Sequence, residues 1–257
     1  MANFAYSQTI FQTMNRREMI KAGLGTAAMT ILGGIPAIAK DKKDRKKILV
    51  IGAHPDDPET AAGGTICLLT KAGHDVACVY LTKGQASSSF TDRKVAADTR
   101  TKEAIAACAI MGSRYIFMDQ EDGATEVSEK RRADMRELIS KEKPDVVITH
   151  WPIDGHRDHA ACGILVADAW RRLDHCFELY FFEVMTGVQT QLFHPTDWVD
   201  ISSVRDLKYK ACYCHESQHL EETMEEFHGP MEAFRGLECR CPAAEAFAHN
   251  TVPAKLV

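Results

Sequence analysis

The chain has 257 residues, of which 45% are hydrophobic and 26% are charged, and its formal net charge is −5. This composition is typical of a folded globular protein and excludes a largely disordered chain. The net negative charge argues against a nucleic-acid partner, which favours a basic surface. The length allows one large domain or two small ones.

The first 39 residues have the pattern of an export signal. Arg16, Arg17 and Lys21 precede an uncharged stretch, residues 22–39, that ends in Ala-Ile-Ala. A basic region, an apolar region and a small-residue cleavage site in this order are typical of a cleavable leader. The paired arginines indicate the twin-arginine route, which suits a protein that folds before export.

We therefore expect a leader over residues 1–39 and a folded domain over residues 40–257. The mature protein would be periplasmic or otherwise extracytoplasmic, with no stable membrane span after the leader is removed. Two alternatives stay open: a retained membrane anchor, and a true start at Met14.

A dense polar turn follows the first predicted strand. Residues 48–51 form an apolar run of the kind found in strands buried on both faces. His54, Asp56 and Asp57 come next, and Asp57 followed by Pro58 has the pattern of a helix N-cap. We expect these side chains at the carboxyl end of the strand, where open α/β sheets bind their ligands.

This turn has two possible interpretations. Taken alone, Asp57 is better explained as a helix cap and His54 as a hydrogen-bonded turn residue. However, the adjacent carboxylates of Asp56 and Asp57 repel each other when buried, unless a cation or a shared proton relieves the repulsion. His54 and Asp57 can direct a nitrogen and an oxygen to one point, which favours a divalent metal.

Strands and helices then alternate along the chain. Apolar runs predict strands at 76–81, 115–118, 146–149, 178–184 and within 193–202. Helical spacing predicts helices at 92–111 and 127–139, one that ends at Arg172, and a final helix at 204–215. Alternation with short connections is typical of a parallel sheet with right-handed crossovers. We predict an α/β fold, a Rossmann-like three-layer sandwich with a mainly parallel sheet flanked by helices.

A second polar cluster follows the fourth strand and contains His156, Asp158 and His159. In a doubly wound sheet, the first and fourth strands are neighbours and their carboxyl-end loops face one crevice. His159 would then join His54 and Asp57 as a third metal ligand. Two imidazoles and one carboxylate leave a coordination position open for water.

The two clusters closely resemble the paired motifs of the PIG-L (LmbE-like) family of zinc-dependent N-acetylglucosaminyl deacetylases. The resemblance rests on Ala-His-Pro-Asp-Asp at 53–57 and His-Arg-Asp-His at 156–159, and extends to Arg-x-x-Glu at 100–103 and His-Glu-Ser-Gln at 215–218. It implies a hydrolase that uses Zn²⁺ or Fe²⁺ to remove the acetyl group from an N-acetylated sugar or glycoconjugate.

The resemblance also implies roles for individual residues. The metal ligands would be His54, Asp57 and His159. Asp56 would be the general base, and His156, oriented by Asp158, would stabilise charge or deliver a proton.

Three further residues are predicted to contact the substrate: Arg100, Asp122 and His215. Asp122 lies in an acidic loop after the third strand and is a candidate for binding sugar hydroxyls. Arg100 is also explained by an ion pair with Glu103, one turn along the same helix. His215 is equally well explained by a structural role.

Other functions fit parts of the pattern. A mononuclear iron oxygenase also uses two histidines and a carboxylate, usually on a β-sandwich and at a different spacing. An amidase acting on a thiol or other sugar conjugate would share every catalytic residue. An exported sugar-binding protein without turnover would not need Asp56. The sequence leaves open the N-acyl substrate, the native metal and whether the protein forms a homo-oligomer.

All nine cysteines follow the predicted leader, in a compartment that permits disulfides. They include two C-x-C pairs, Cys212/Cys214 and Cys239/Cys241. Two disulfides, or unpaired buried thiols, are favoured over a second metal site.

Overall fold

Seven strands of the computed structural model, which describes residues 45–252, form one mixed sheet in the order β3-β2-β1-β4-β5-β7-β6. They are β1 (Lys47–Gly52), β2 (Asp75–Tyr80), β3 (Arg114–Phe117), β4 (Val146–His150), β5 (Glu178–Phe182), β6 (Asp197–Asp200) and β7 (Ala244–Asn250). The first five strands are parallel, whereas β7 runs antiparallel to both β5 and β6. The predicted leader, residues 1–39, lies outside the described residues.

Helices cover both faces of this sheet. They are α1 (Asp57–Lys71), α2 (Arg93–Met111), α3 (Glu129–Glu142), α4 (Arg157–Arg172), α5 (Arg205–Cys212), α6 (Leu220–Thr223) and α7 (Gly229–Cys239). Alternate residues of β1 face two separate apolar clusters: Val50 packs with α1, α2 and α5, and Leu49 packs with α3 and α4. The predicted three-layer α/β sandwich with a mainly parallel sheet is confirmed.

The order of the strands brings the two polar clusters together. β1 pairs in parallel with both β2 and β4, and Ile51 lies opposite Thr149 near the carboxyl ends of β1 and β4. The connection after β1 leads to β2 on one side, and the connection after β4 leads to β5 on the other side. A crevice therefore opens between the carboxyl ends of β1 and β4, where such sheets bind their ligands. The loops that carry His54 and His159 therefore start side by side.

The predicted bounds of α2 agree with the structure, because both ends of this helix have strong capping residues. The α2 helix follows Asp92, whose carboxylate accepts hydrogen bonds from the backbone N–H groups of Lys94 and Val95. It ends at Gly112, which has the left-handed conformation expected of a C-terminal glycine, with φ 73°.

The predicted end of the fold was wrong. The α5 helix is not the last, because α6, α7 and β7 follow it. The sequence of β7 begins Ala-Glu-Ala-Phe-Ala, and alanine has low strand propensity, so it lacks the β-branched run that identifies a strand. Its strand conformation depends on pairing with β5 and β6.

A buried ion network ties this carboxyl-terminal part to α1. Lys208 Nζ lies 2.7 Å from Glu245 Oε1 and 2.8 Å from Glu232 Oε1. The backbone N–H groups of Gly64 and Thr65 each donate to the Glu245 carboxylate at 2.8 Å. One lysine and two carboxylates thus connect α1, α5, α7 and β7 behind the polar clusters.

All nine cysteines lie within the described residues as free thiols. Of the two alternatives predicted for the C-x-C pairs, the structure shows unpaired thiols, but of these four cysteines only Cys212 is buried. Cys239 Sγ and Cys241 Sγ are 3.3 Å apart at the surface. Between residues 45 and 252, no helix is both long and apolar enough to cross a bilayer.

Candidate active site

The three residues predicted as metal ligands meet at the carboxyl ends of β1 and β4. Asp57 Oδ1 lies 3.2 Å from His159 Nε2, and Asp57 Oδ2 lies 3.4 Å from His54 Nδ1. All three residues are nearly enclosed, with exposed fractions of 7% for His54, 3% for Asp57 and 3% for His159. Residues that are more than one hundred positions apart in sequence therefore form one compact group.

The turn from β1 to α1 sends its two aspartates in different directions. Asp56, not Asp57, occupies the N-cap position, so the predicted capping role of Asp57 is wrong. Asp56 has φ 106°, a left-handed conformation that is costly for a residue with a Cβ atom and is concentrated at functional sites. The Asp57 carboxylate folds back to accept a 2.7 Å hydrogen bond from the backbone N–H of His54.

Two carboxylates hold the far side of the His54 ring. His54 Nε2 lies 3.1 Å from Asp122 Oδ1 and 3.2 Å from Asp158 Oδ2. Asp122 also accepts a 2.7 Å hydrogen bond from the backbone N–H of Ala86, and Asp158 accepts one of 2.7 Å from Gly123. Asp122 was predicted to bind sugar hydroxyls, but the structure directs its carboxylate to the imidazole.

The ring of His159 is held in a similar way. Its Nδ1 lies 3.3 Å from Asp154 Oδ1, and the other oxygen of Asp154 accepts a 2.8 Å hydrogen bond from Thr190. The ring of His150 stacks on that of His159 with centroids 4.1 Å apart, and His150 Nε2 lies 3.1 Å from Asp57 Oδ2. Neither Asp154 nor His150 belongs to the sequence motifs, so their positions beside His159 are visible only in the folded chain.

Burial and charge set the protonation states of this group. Burial lowers the pKa of His150 to about 4, so this imidazole is neutral at physiological pH. Burial opposes a charge on His159 as well, but the carboxylates of Asp57 and Asp154 outweigh it and raise the pKa to about 9. Burial also opposes ionisation of Asp57, yet His159 and His150 hold its pKa well below the usual range. Asp57 is therefore ionised, as a metal ligand must be.

The three predicted ligands belong to two overlapping groups of side chains that could hold a divalent metal ion, and His159 is common to both. Ring nitrogens of His54, His156 and His159 lie within 4.8 Å of one another, and so do ligand atoms of Asp57, His150 and His159. Each of the two predicted histidine ligands has one nitrogen near Asp57 and the other beside a carboxylate. This pattern orients metal-binding histidines in proteins, and imidazole with carboxylate donors suits zinc or iron(II).

Asp56 faces the cavity beside the ligand group but has a different partner. Arg100 Nη2 donates to Asp56 Oδ2 at 2.9 Å and to the backbone carbonyl of Pro55 at 2.6 Å. Burial raises the pKa of Asp56, although Arg100 acts in the opposite direction. A carboxylate with a raised pKa beside a metal site is suited to act as a general base.

The expected ion pair between Arg100 and Glu103 does not form. Arg100 is 5% exposed and is directed to Asp56, which lies 44 positions earlier in the chain. Glu103 accepts hydrogen bonds from the backbone N–H and the hydroxyl of Ser217, at 2.8 and 2.7 Å. Arg100 also lines the cavity, where it was predicted to contact substrate.

His156 lies half-buried at the amino end of α4. Its ring centroid is 4.8 Å from that of His54 and 4.5 Å from that of His159. Asp158 contacts His156 through its backbone N–H, which donates to His156 Nδ1 at 3.3 Å. The predicted orientation of His156 by the Asp158 carboxylate is therefore wrong, because that carboxylate is directed to His54. Burial lowers the pKa of His156, and His159 adds to the effect.

A cavity of about 290 Å³ opens above these residues. Residues of both polar clusters line it, including His54, Asp56, Asp57, His156 and His159. The remaining wall includes Ser87, Met185, Gln189, Gln218 and His228. The cavity therefore joins the candidate metal ligands and the candidate base to a polar chamber large enough for part of a sugar.

His215 is not part of that cavity. It has no exposed surface, and its Nε2 lies 3.4 Å from Glu59 Oε1. The hydroxyl of Tyr80 donates to the same Glu59 oxygen at 2.6 Å. The predicted substrate contact of His215 is wrong, and the structural role considered beside it is what the structure shows.

Comparisons with known proteins agree with this geometry. A sequence model of the PIG-L family, described as GlcNAc-PI de-N-acetylase, matches residues 49–170, which include both polar clusters. The diacetylchitobiose deacetylase of Thermococcus kodakarensis is 33% identical over 198 residues, which cover 71% of this chain and 73% of that protein. The 4-oxalmesaconate hydratase of Pseudomonas putida is 26% identical over 231 residues, which cover 82% of this chain and 88% of that protein.

A solved structure extends the similarity to three dimensions. The N,N'-diacetylchitobiose deacetylase of Pyrococcus horikoshii superposes with a TM-score of 0.72 at 25% sequence identity. The superposition covers 81% of this chain and 85% of that chain. The similarity therefore includes most of the described residues.

Proposed function

The chain belongs to the PIG-L family, and from this premise we propose that it is a metal-dependent N-deacetylase acting on an N-acetylglucosamine-type sugar. One observation carries the proposal: Asp56 faces the same cavity as the enclosed group of His54, Asp57 and His159. A candidate base beside three candidate ligands is the arrangement that metal-assisted amide hydrolysis needs.

His54, Asp57 and His159 would hold the metal, because Asp57 lies beside both imidazoles and these donor atoms suit Zn²⁺ or Fe²⁺. When bound, a divalent metal supplies a Lewis acid that polarises the acetamide carbonyl and makes a water molecule more acidic. Asp122 and Asp158 on one side, and Asp154 on the other, would keep the two imidazoles oriented.

Asp56 would accept a proton from the attacking water while the water oxygen forms a bond to the acetamide carbon. The 2.9 Å hydrogen bond from Arg100 fixes the direction of the Asp56 carboxylate, so Arg100 is a positioning residue for the base. Cleavage of the C–N bond then gives acetate and a free amine, and the amine must gain a proton as it leaves. The proton held by Asp56 is available for that step.

His156 would act at the carbonyl oxygen. Water addition places negative charge on that oxygen. His156 Nδ1 accepts a hydrogen bond from the Asp158 backbone N–H, so the neutral ring carries its proton on Nε2 and can donate it to the oxygen in a hydrogen bond. His156 is half-buried and lies against the rings of both His54 and His159, so it faces the position where this charge develops.

The hydratase relative makes addition of water to a carboxylated substrate the principal competing reaction. The charge of the cavity favours the amide reaction. Among the described residues that line it, Arg100 is the one with a permanent positive charge, and its guanidinium is committed to Asp56 and to the Pro55 carbonyl. A neutral acetamide suits this cavity better than a substrate with several carboxylates.

Acetate release tests the proposal directly. Protein stripped of metal and reloaded with Zn²⁺ or Fe²⁺ is incubated with N-acetylglucosamine, N,N'-diacetylchitobiose and a thiol conjugate of an N-acylated sugar. We expect acetate from at least one of the first two. Cleavage of the conjugate alone would favour an amidase, and sugar binding without release would favour a binding protein. If the protein neither binds nor cleaves any of the three compounds, the proposal is contradicted.

We also propose that the protein is exported by the twin-arginine route, a proposal supported by Arg16, Arg17 and the apolar stretch after them. Replacement of both arginines by lysine should retain the protein in the cytoplasm. The measurement is cell fractionation of the full-length chain beside the double variant. Equal export of the two would contradict this route.

A further inference from the structure

Four residues of the cavity wall have a buried side-chain atom without a hydrogen-bond partner among residues 45–252: Arg100, His159, Gln189 and His228. Arg100 and His159 belong to the catalytic group described above, whereas Gln189 and His228 do not. In the latter two residues the unpaired atoms are Gln189 Oε1 and His228 Nδ1. By contrast, Ser87 and Gln218 on the same wall bond to each other, with 3.2 Å between the hydroxyl and the amide nitrogen. Because buried polar groups are nearly always paired in native proteins, an unpaired set at a cavity indicates a bound partner.

His228 occupies an unusual position in the backbone. It is the last residue of a π-helical turn, Met224–His228, between α6 and α7. Such single π turns are rare and occur frequently at functional sites, because the extra residue redirects a side chain. His228 is 3% exposed, so its ring is held in the wall rather than free in solvent.

Both side chains are suited to a neutral polar ligand. Burial lowers the pKa of His228 to about 4, with nearby Lys208 adding to the effect, so the ring is uncharged at neutral pH. A neutral imidazole donates through one nitrogen and accepts through the other, and an amide group also does both. A sugar hydroxyl has the matching ability to donate and accept.

We propose that His228 and Gln189 bind hydroxyl groups of the sugar whose acetamide lies at Asp56. This inference rests on the proposed function and specifies its substrate contact. It adds two hydroxyl contacts to the substrate contacts predicted from the sequence for Arg100 and Asp122, which line the same cavity.

A set of deoxy sugars tests this assignment. The substrates are N-acetylglucosamine and its 3-deoxy, 4-deoxy and 6-deoxy analogues, and the variants are His228→Leu and Gln189→Leu. For the wild type, loss of the bound hydroxyl should raise KM about tenfold with little change in kcat. In the matching variant, KM for the parent sugar should rise by about the same factor, and removal of that hydroxyl should have no further effect.

Two controls make the result specific. His194→Leu changes an exposed histidine outside the cavity and should leave every KM unchanged. Gln189 lies in a half-buried loop, so Gln189→Leu provides the test if His228→Leu fails to fold.

The outcomes separate this inference from the proposed function. A wild-type protein that releases no acetate from any N-acetylated sugar overturns the proposed function and this inference with it. If the wild type is active, but each deoxy sugar raises KM by the same factor in the wild type and in the His228→Leu and Gln189→Leu variants, this inference alone is overturned.

Discussion

Asp158 Oδ2 lies 3.2 Å from Nε2 of His54, although the two residues are 104 positions apart. One residue belongs to the first turn of α4 and the other to the loop after β1, so a single contact joins the two halves of the site. The same carboxylate also contacts Thr125 and the backbone N–H of Gly123. The loop after β3 is thereby tied to the ring of a candidate metal ligand.

The first prediction follows from this contact. Asp158→Asn and Asp122→Asn should each weaken metal binding about 10–100-fold, because each removes a carboxylate that orients His54. Competition with a chelator measures the zinc affinity. Asp119→Asn is the control, since Asp119 lies in the same acidic loop with 78% of its side chain exposed and pairs with Arg131.

A different pattern would restore the sequence-based role of Asp122. If Asp122→Asn bound zinc normally but raised KM for N-acetylglucosamine, its carboxylate would contact the sugar and not the His54 ring.

The second prediction separates the base from the ligands. Asp56→Asn should retain its metal and lose about 10²–10⁴-fold in turnover, because an amide cannot accept the proton of the attacking water. Asp57→Ala and His159→Ala should instead lose metal, since each removes a donor atom from an enclosed site. Metal content and acetate release are measured on all three variants. Equal zinc content in the three would contradict these roles.

The sequence was most informative where chemistry and local structure coincide. The apolar run of β1 and the polar turn after it are sufficient to locate His54, Asp56 and Asp57 at the site. The alternation of strands and helices then placed β4 beside β1, and His159 followed as the partner of Asp57. These inferences depend on short-range patterns and one topological rule, so a single sequence was sufficient.

Contacts between distant loops could not be predicted in this way. The helical spacing correctly grouped Arg100 with Glu103 on one face, but their partners, Asp56 and Ser217, come from elements that only the folded chain brings near. The pairing of His159 with Asp154 likewise depends on how the loop after β4 folds. Side-chain direction in loops is decided by tertiary packing, and residue spacing carries little information about it.

The third prediction concerns the buried ion network. Lys208→Met should lower the free energy of unfolding by about 3–5 kcal/mol, because it leaves the Glu245 carboxylate buried without a cation and the Glu232 carboxylate with Arg205 alone. Urea denaturation followed by circular dichroism measures the change. Lys210→Met, an exposed position on the same helix, should change stability by less than about 0.5 kcal/mol. If Lys208→Met changed the free energy of unfolding as little as Lys210→Met does, the network would add no stability.

The fourth prediction is a pH dependence that the same network creates. Burial favours the neutral form of Glu232, but Lys208 and Arg205 outweigh it and lower the pKa of the folded protein below the usual value of about 4.3. Because the pKa of Glu232 is lower in the folded state, the ionised carboxylate stabilises the fold. This contribution is fully present above about pH 4.3 and is lost as the pH falls through the pKa of the folded protein.

The free energy of unfolding of the wild type should therefore fall on acidification below about pH 4.3, and Glu232→Gln should lose less over the same interval because this group no longer titrates. Urea denaturation between about pH 3 and pH 7 gives the two curves. Glu222→Gln, at an exposed position in α6, should follow the wild-type curve. Parallel curves for the wild type and Glu232→Gln would mean that Glu232 has the same pKa in the folded and unfolded chains.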